Sequence, residues 1–174
     1  MDTKFFVNNR KKFAERMEDY STAVFFSGIA PRESADETYS FSVDRNFFYL
    51  TGIDKEDMIL LINKIGGKIT ETLYIPPVDE HFEKWFGILM KKEEATEISG
   101  IKLIQDKNEF MNQFANKLSS SDRPDNVYIF SYITGKDEPY DQYRKLAHWT
   151  RNQYPAVTIK NFLDIMIELR SSKT

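Results

Sequence analysis

Two histidines, His81 and His148, are the only imidazoles in a 174-residue chain that has no cysteine. A serine or threonine nucleophile needs a base within hydrogen-bond reach, and that base needs a third group to orient it. Neither histidine stands in such a setting. His81 precedes Phe82 at the start of an expected helix and His148 falls off the inner face of its own, so each reads as a surface or capping residue. Carboxylates are plentiful, but Glu93-Glu94, Asp54 with Glu56-Asp57, and Asp137-Glu138 fall at turns and helix starts, where acid complements the helix dipole. Gly66-Gly67-Lys68 could end a phosphate loop, but that loop needs a glycine where Ile62 stands and a hydroxyl residue where Ile69 stands. Without cysteine there are also no disulfides, thiolate metal sites or cysteine nucleophiles. The chain therefore offers no paired acid and base and no metal-ligand set of its own.

The most information-dense run is Asp36 to Gly52, and the rest of the chain reads as scaffold around it. Phe41, Phe47, Phe48, Tyr49 and Leu50 are too apolar for an ordinary surface loop, yet Asp44-Arg45-Asn46 interrupts the run where a buried strand would continue. A structured turn follows. Asp44 is expected to cap one turn of helix over Asn46 to Leu50, Gly52 to end it in a left-handed conformation, and the aromatic side chains to plug a core.

Elements on either side must hold that turn. Asn8 or Asn9 is expected to cap a first surface helix, with Phe13, Met17 and Tyr20 on one side and Arg10, Lys11, Lys12, Glu15 and Arg16 around the rest. Ser21 to Ser27 reads as a strand buried on both faces. Met58 to Ile62 and Ile69 to Ile75 form a hairpin about Gly66-Gly67, with a turn longer than two residues and an open register. Pro76-Pro77 stops the second strand; Val78 to Met90 reads as a short amphipathic helix or two turns, and Glu93 to Ile98 as another short helix, closed by Gly100. Ile101 to Ile104 is a short strand. Asp106 with Glu109 suggests a capping box for a helix whose apolar face is Phe110, Met111, Phe114, Ala115 and Leu118. A strand at Val127 to Phe130, a helix over Tyr140 to Tyr154 with Tyr143, Leu146, Ala147 and Thr150 inward, a strand at Val157 to Ile159 and a helix capped by Asn161 complete the chain. Strands alternating with helices predict an α/β fold: three layers, α/β/α, with a five- or six-stranded mixed sheet.

Composition agrees with one domain. Apolar residues make up 41% and charged residues 29%, usual for a globular chain, and the aromatic share of 14% promises a well-filled core. Net charge is −3 with both signs spread along the chain, which leaves no basic stripe for nucleic acid. No run approaches the ~20 apolar residues that span a bilayer, and Met1 to Val7 lacks a signal peptide's apolar region, so a cytoplasmic location is expected and no membrane partner.

Tyr39-x-Phe41 followed by Asn46-Phe47-Phe48-Tyr49-Leu50-Thr51-Gly52 resembles the signature of the amino-terminal domain of aminopeptidase P, the Xaa-Pro aminopeptidases of the creatinase and prolidase superfamily. Asn9-Arg10-Lys11-Lys12, Ser21, Trp85-Phe86-Gly87 with Glu93-Glu94-Ala95, and Ser99-Gly100-Ile101 fall in the family's order, over about residues 5 to 170. The resemblance implies a single amino-terminal domain over residues 1–170, with 171–174 beginning the join to a carboxyl-terminal catalytic domain. Leu169-Arg170-Ser171-Ser172-Lys173 is similar to the family's Leu-Arg-x-x-Lys join, departing from it at Ser172, where an apolar residue is usual. In the family, two divalent metal ions, commonly manganese, are held in that catalytic domain by two Asp, one His and two Glu. The resemblance thus implies a domain that is inactive alone, whose partners are its own catalytic domain, neighbouring subunits and a proline-containing peptide substrate. Tyr39, Phe41, Asn46, Phe47, Tyr49, Leu50 and Gly52 are its structural signature. Trp85 stands where the family places an indole at the substrate cleft or a subunit contact; a place in the core is the alternative. Two other readings stay open: a protein-binding pseudo-peptidase module, and the amino-terminal domain of a prolidase or creatinase.

Overall fold

A computed structural model describes residues 2–29, 41–77, 89–130 and 142–171. Tyr39, His81, Trp85 and the helix expected over Val78 to Met90 lie wholly or mainly outside these residues. Among the described residues six strands form one mixed sheet. In chain order the elements are α1 (Thr3–Arg16), β1 (Ser21–Phe26), α2 (Arg45–Thr51), β2 (Ile59–Ile65), β3 (Lys68–Ile75), α3 (Lys92–Ser99), β4 (Ile104–Asp106), a 3-10 turn at Lys107–Glu109, α4 (Phe110–Leu118), β5 (Asn126–Ile129), α5 (Gln142–Gln153), β6 (Thr158–Asn161) and α6 (Leu163–Ser171). The sheet order is β4-β3-β2-β1-β5-β6. β1, β2 and β3 are antiparallel neighbours, while β4 joins β3, β5 joins β1 and β6 joins β5 in parallel.

β1 is central, and its six residues are all buried because both sheet faces are covered. Successive side chains point to opposite faces. Phe25 meets Phe13 of α1 edge-on and stacks on Phe162 at 4.3 Å, while Phe26 meets Phe110 of α4 and Tyr143 of α5. The expected three-layer α/β/α arrangement follows from that alternation, with α1, α2, α3 and α6 neighbouring one another on Phe25's side.

Several boundaries differ from the expectations, each for a physical reason. Asp2, not Asn8 or Asn9, caps α1 by accepting from the Lys4 N–H at 3.1 Å, so the helix begins early enough to bury Phe6. Tyr20 lies beyond the helix in a left-handed conformation and is exposed. β2 runs to Ile65, pairing with Lys68, so the hairpin turn is only the two residues Gly66-Gly67, with φ of 59° and 78°. Two consecutive positive φ values match the twist of the flanking strands and favour glycine. β4 begins at Ile104, where its pairing with Leu73 starts, three residues later than expected. The Asp106/Glu109 capping box does not form: the 3-10 turn intervenes, and the Asp106 side chain makes no capping bond. Met111, expected on the apolar face of α4, is 40% exposed.

Candidate functional site

α2 sits at the end of β1 and is built as its sequence demands. Asp44 caps it, accepting from the Phe47 N–H at 2.9 Å, and the Asp44 N–H donates to the Ser27 carbonyl at 3.0 Å, which ties the start of α2 to the strand end. Ser27 is held in turn by β2, since its Oγ accepts from the Met58 N–H. Phe47 and Leu50 are fully buried below the helix; Phe41, Phe48 and Tyr49 are half-buried. Gly52 closes the helix with φ of 73°, its N–H donating to the Phe48 carbonyl at 2.8 Å. A Cβ at Gly52 would fall 2.3 Å from Cε2 of Phe6, so both the backbone conformation and the close approach of α1 require glycine.

The last carbonyls of a helix have no partner within it. Here α1 supplies them. Asn9 Nδ2 donates to the Tyr49 carbonyl at 2.8 Å, and Arg10 Nη1 donates to the Leu50 carbonyl at 2.7 Å. Arg10 Nε also donates to Glu71 Oε2 of β3 at 2.7 Å. Arg10, expected on the solvent side of α1, is 1% exposed: it joins three elements, and its positive charge lies at the negative end of the α2 dipole. Asn-Arg in a basic-looking run gave no periodic signal of burial; only the absence of other partners for the α2 carbonyls could have found it. Gly100, which ends α3, packs close to the same helix, for a Cβ there would lie 2.5 Å from Cγ2 of Val7.

α6 touches the other side of α2. Tyr49 Oη donates to the Leu169 carbonyl at 3.2 Å. Burial pushes the Asp44 carboxyl above its ordinary range, opposed by the Phe47 and Asn46 N–H groups and by the positive charge of Arg170. Burial likewise raises the Tyr49 phenol, with Arg16 and Arg170 acting the other way. The signature residues Asn46, Phe47, Tyr49, Leu50 and Gly52 thus lie on α2 and its cap, at the corner where α1, α2, β3 and α6 meet, while Phe41 lies near Gly28 at the end of β1.

That corner is a structural junction, with no nucleophile and base brought together. Among the described residues no three His, Asp or Glu side chains converge in a way that could hold a metal ion. His148 is exposed and lies 3.1 Å from Asn152 on the same helix. On the opposite face of the sheet, an open cleft of about 540 Å³ lies between α4 and α5. Phe26, Phe110, Met111, Leu146 and Trp149 line it, with Lys107 at the rim paired to Asp57. The sequence reading did not single this cleft out, because its walls come from residues that read simply as core. No helix among the described residues is long and apolar enough to cross a membrane.

Comparison with known proteins gives a consistent result. Residues 6–128 match the model of the aminopeptidase P amino-terminal domain. A curated relative from Uncinocarpus reesii, described as Xaa-Pro aminopeptidase PEPP, is 32% identical over 114 residues, covering 64% of this chain and 23% of that protein. Among solved structures, a Bacillus anthracis protein described as an aminopeptidase P aligns over the whole chain with a TM-score of 0.93 and 36% identity. The aminopeptidase P of E. coli with the inhibitor Pro-Leu also aligns throughout, with a TM-score of 0.82 at 20% identity, a likeness of fold. The chain spans well under half the length of these proteins: 41% of the Bacillus anthracis chain and 40% of the E. coli one.

Proposed function

Since the chain belongs to the aminopeptidase P amino-terminal domain family, we propose that it serves as the non-catalytic amino-terminal domain of a Xaa-Pro aminopeptidase, a metallopeptidase that removes the residue preceding proline. The observation that carries this reading is the full-length match to the Bacillus anthracis structure at 36% identity, which leaves most of that longer chain for a further domain. In this reading the chemistry belongs to that further domain. Two divalent metal ions, manganese by family habit, would polarise the scissile carbonyl and activate water there. The described residues of the present chain supply no donor set for them. What this chain contributes is a rigid wall: α2, clamped by Asn9, Arg10 and Asp44, and the sheet that fixes it. From that wall it would form part of the rim of the substrate cleft and contacts with neighbouring subunits, with Trp85 as the contact residue and a proline-containing peptide as the substrate.

The test has two parts. The coding sequence beyond Thr174 should contain the two Asp, one His and two Glu of the metal site, and the two-domain protein should release the first residue of a Xaa-Pro peptide with manganese present. The 174-residue chain alone should give no turnover above a metal-only control. A following domain that lacks those ligands would replace this reading with that of a protein-binding module. In the two-domain enzyme Trp85→Ala should raise KM or weaken assembly while metal content stays the same; loss of folding instead would place Trp85 in the core.

A further inference from the structure

The cleft between α4 and α5 has no part in the function proposed above, and its walls change in character from floor to mouth. The floor is apolar and closed, with Phe26, Phe110 and Leu146 at most 6% exposed. Its rings form one connected surface: Phe26 meets Phe110 at 6.5 Å, Phe110 stacks on Phe114 at 5.4 Å, and Phe114 meets Trp149 at 5.9 Å. The mouth is polar and basic. Lys107 and Asn108, just before α4, line one wall, and Gln142 and Lys145, in the first turn of α5, line the other. None of the residues lining the cleft is acidic, and α5 begins at Gln142, so the positive end of its dipole lies at the same mouth.

Lys107 is fixed from outside the lining. Its Nζ donates to Asp57 Oδ2 at 2.5 Å, and Asp57 stands in a left-handed conformation, with φ of 65°, its N–H donating to the Gly28 carbonyl at 2.8 Å. A residue other than glycine at positive φ persists where its surroundings over-determine it, and such positions cluster at ligand sites. An ammonium carries three N–H donors, so the bond to Asp57 leaves Lys107 with donors to offer. The place in the fold agrees. β1 and β5 are parallel neighbours, yet the chain turns after β1 to α2 on one face of the sheet and after β5 to α5 on the other. Open α/β sheets bind ligands in the crevice outside the carboxyl ends of strands whose connections part in this way, and Phe26, the last residue of β1, lines the cleft. Its volume of about 540 Å³ falls among small-molecule pockets, which run from about 300 to 1,000 Å³.

We propose that this cleft is a binding site for a small amphipathic carboxylate, with its hydrocarbon body on the aromatic floor and its carboxylate received by Lys107 and Lys145. The floor selects an apolar body; the basic mouth selects an anionic head and repels a cationic one.

The probe is decanoate, titrated into the 174-residue chain by calorimetry, with 1-decanol and decylamine as neutral and cationic counterparts of the same body. Decanoate should bind one to one with a Kd below about 1 mM, at least about tenfold tighter than decanol, and decylamine should bind weakest. Added salt should weaken decanoate and leave decanol unchanged. Binding should change the emission of Trp149, a signal that Trp149→Phe removes. Lys145→Gln, at an exposed position, should weaken decanoate several-fold and spare decanol. Met111→Glu, at a position 40% exposed, brings a carboxylate into the lining and should abolish decanoate binding with the fold intact. Equal affinity for decanoate and decanol would overturn the proposal, as would the absence of saturable binding or decanoate binding that survives both Met111→Glu and Lys145→Gln. A dimer of the chain that Met111→Glu splits would overturn it too, since the cleft would then hold a second copy. No readout here involves metal or peptide, so the function proposed above and this site fail separately.

Discussion

The Arg10–Glu71 pair is asymmetric, and the asymmetry makes a sharp prediction. The Arg10 side chain is 1% exposed and that of Glu71 is 29% exposed. Glu71→Ala therefore leaves a guanidinium deep in the protein with one carbonyl for company, and breaking a buried pair in this way costs about 3 to 5 kcal/mol. Arg10→Met keeps most of the stem and its packing, while the stranded Glu71 carboxylate can turn to water. What remains is the unsatisfied Leu50 carbonyl, a cost of about 1 to 3 kcal/mol. For a chain of this size each kcal/mol lowers the midpoint by about 2 to 4 °C, so Glu71→Ala should melt about 10 °C below the parent and clearly below Arg10→Met. The double variant should recover to the level of Arg10→Met, because no charge is then stranded. Thermal unfolding followed by circular dichroism reads all three. High salt should leave the gap in place, since buried charges are poorly screened. Glu168→Ala is the control: it breaks the exposed Arg16–Glu168 contact and should change stability by no more than about 0.5 kcal/mol. If Glu71→Ala is as mild as Glu168→Ala, Arg10 reaches water in solution and the clamp on α2 is not what the geometry indicates.

Three further outcomes are expected. Phe47→Ala, at a fully buried ring, should cost about 3 to 5 kcal/mol in denaturant unfolding, most of a domain's stability, and an unchanged midpoint would show that α2 is not packed on the core. Gly52→Ala should destabilise far more than Gly67→Ala, because both have positive φ but a Cβ at Gly52 strikes Phe6 and one at Gly67 meets nothing within 4 Å; equal effects would remove the close-approach argument. Tyr74 donates to Gln113 Oε1 at 2.6 Å, and burial, with help from Glu109, pushes its phenol up to about 12. Since the folded state holds this proton more tightly than the unfolded chain, whose phenols ionise near pH 10, stability should fall as pH rises from about 10 towards 12. Tyr74→Phe should flatten that alkaline decline, and an unaltered slope would refute the assignment.

Local chemistry was enough to read much of this fold. The Asp44 cap, the left-handed Gly52, the place though not the length of the Gly66-Gly67 turn, and Gly100 after α3 are each fixed by residues within a turn of one another, so their signals survive in the sequence. The apolar run of β1 likewise announced a strand covered on both faces, and with it the layered α/β arrangement. The order of Asn46 to Gly52 and the segments around it carried the family as well. Tertiary structure alone decided where the polar groups went. Nothing near Arg10 in the chain says that it is buried; it is buried because α2 ends at a point where α1 and β3 pass, and unpaired carbonyls at Tyr49 and Leu50 draw in the nearest donors. For the same reason Asn9 is a clamp and not a helix cap. Asn46 shows the limit most clearly. Its position in the sequence marked it as part of a signature, but only the folded structure shows its side-chain oxygen buried without a donor, because burial of a polar atom is set by tertiary packing that its sequence neighbours do not reveal.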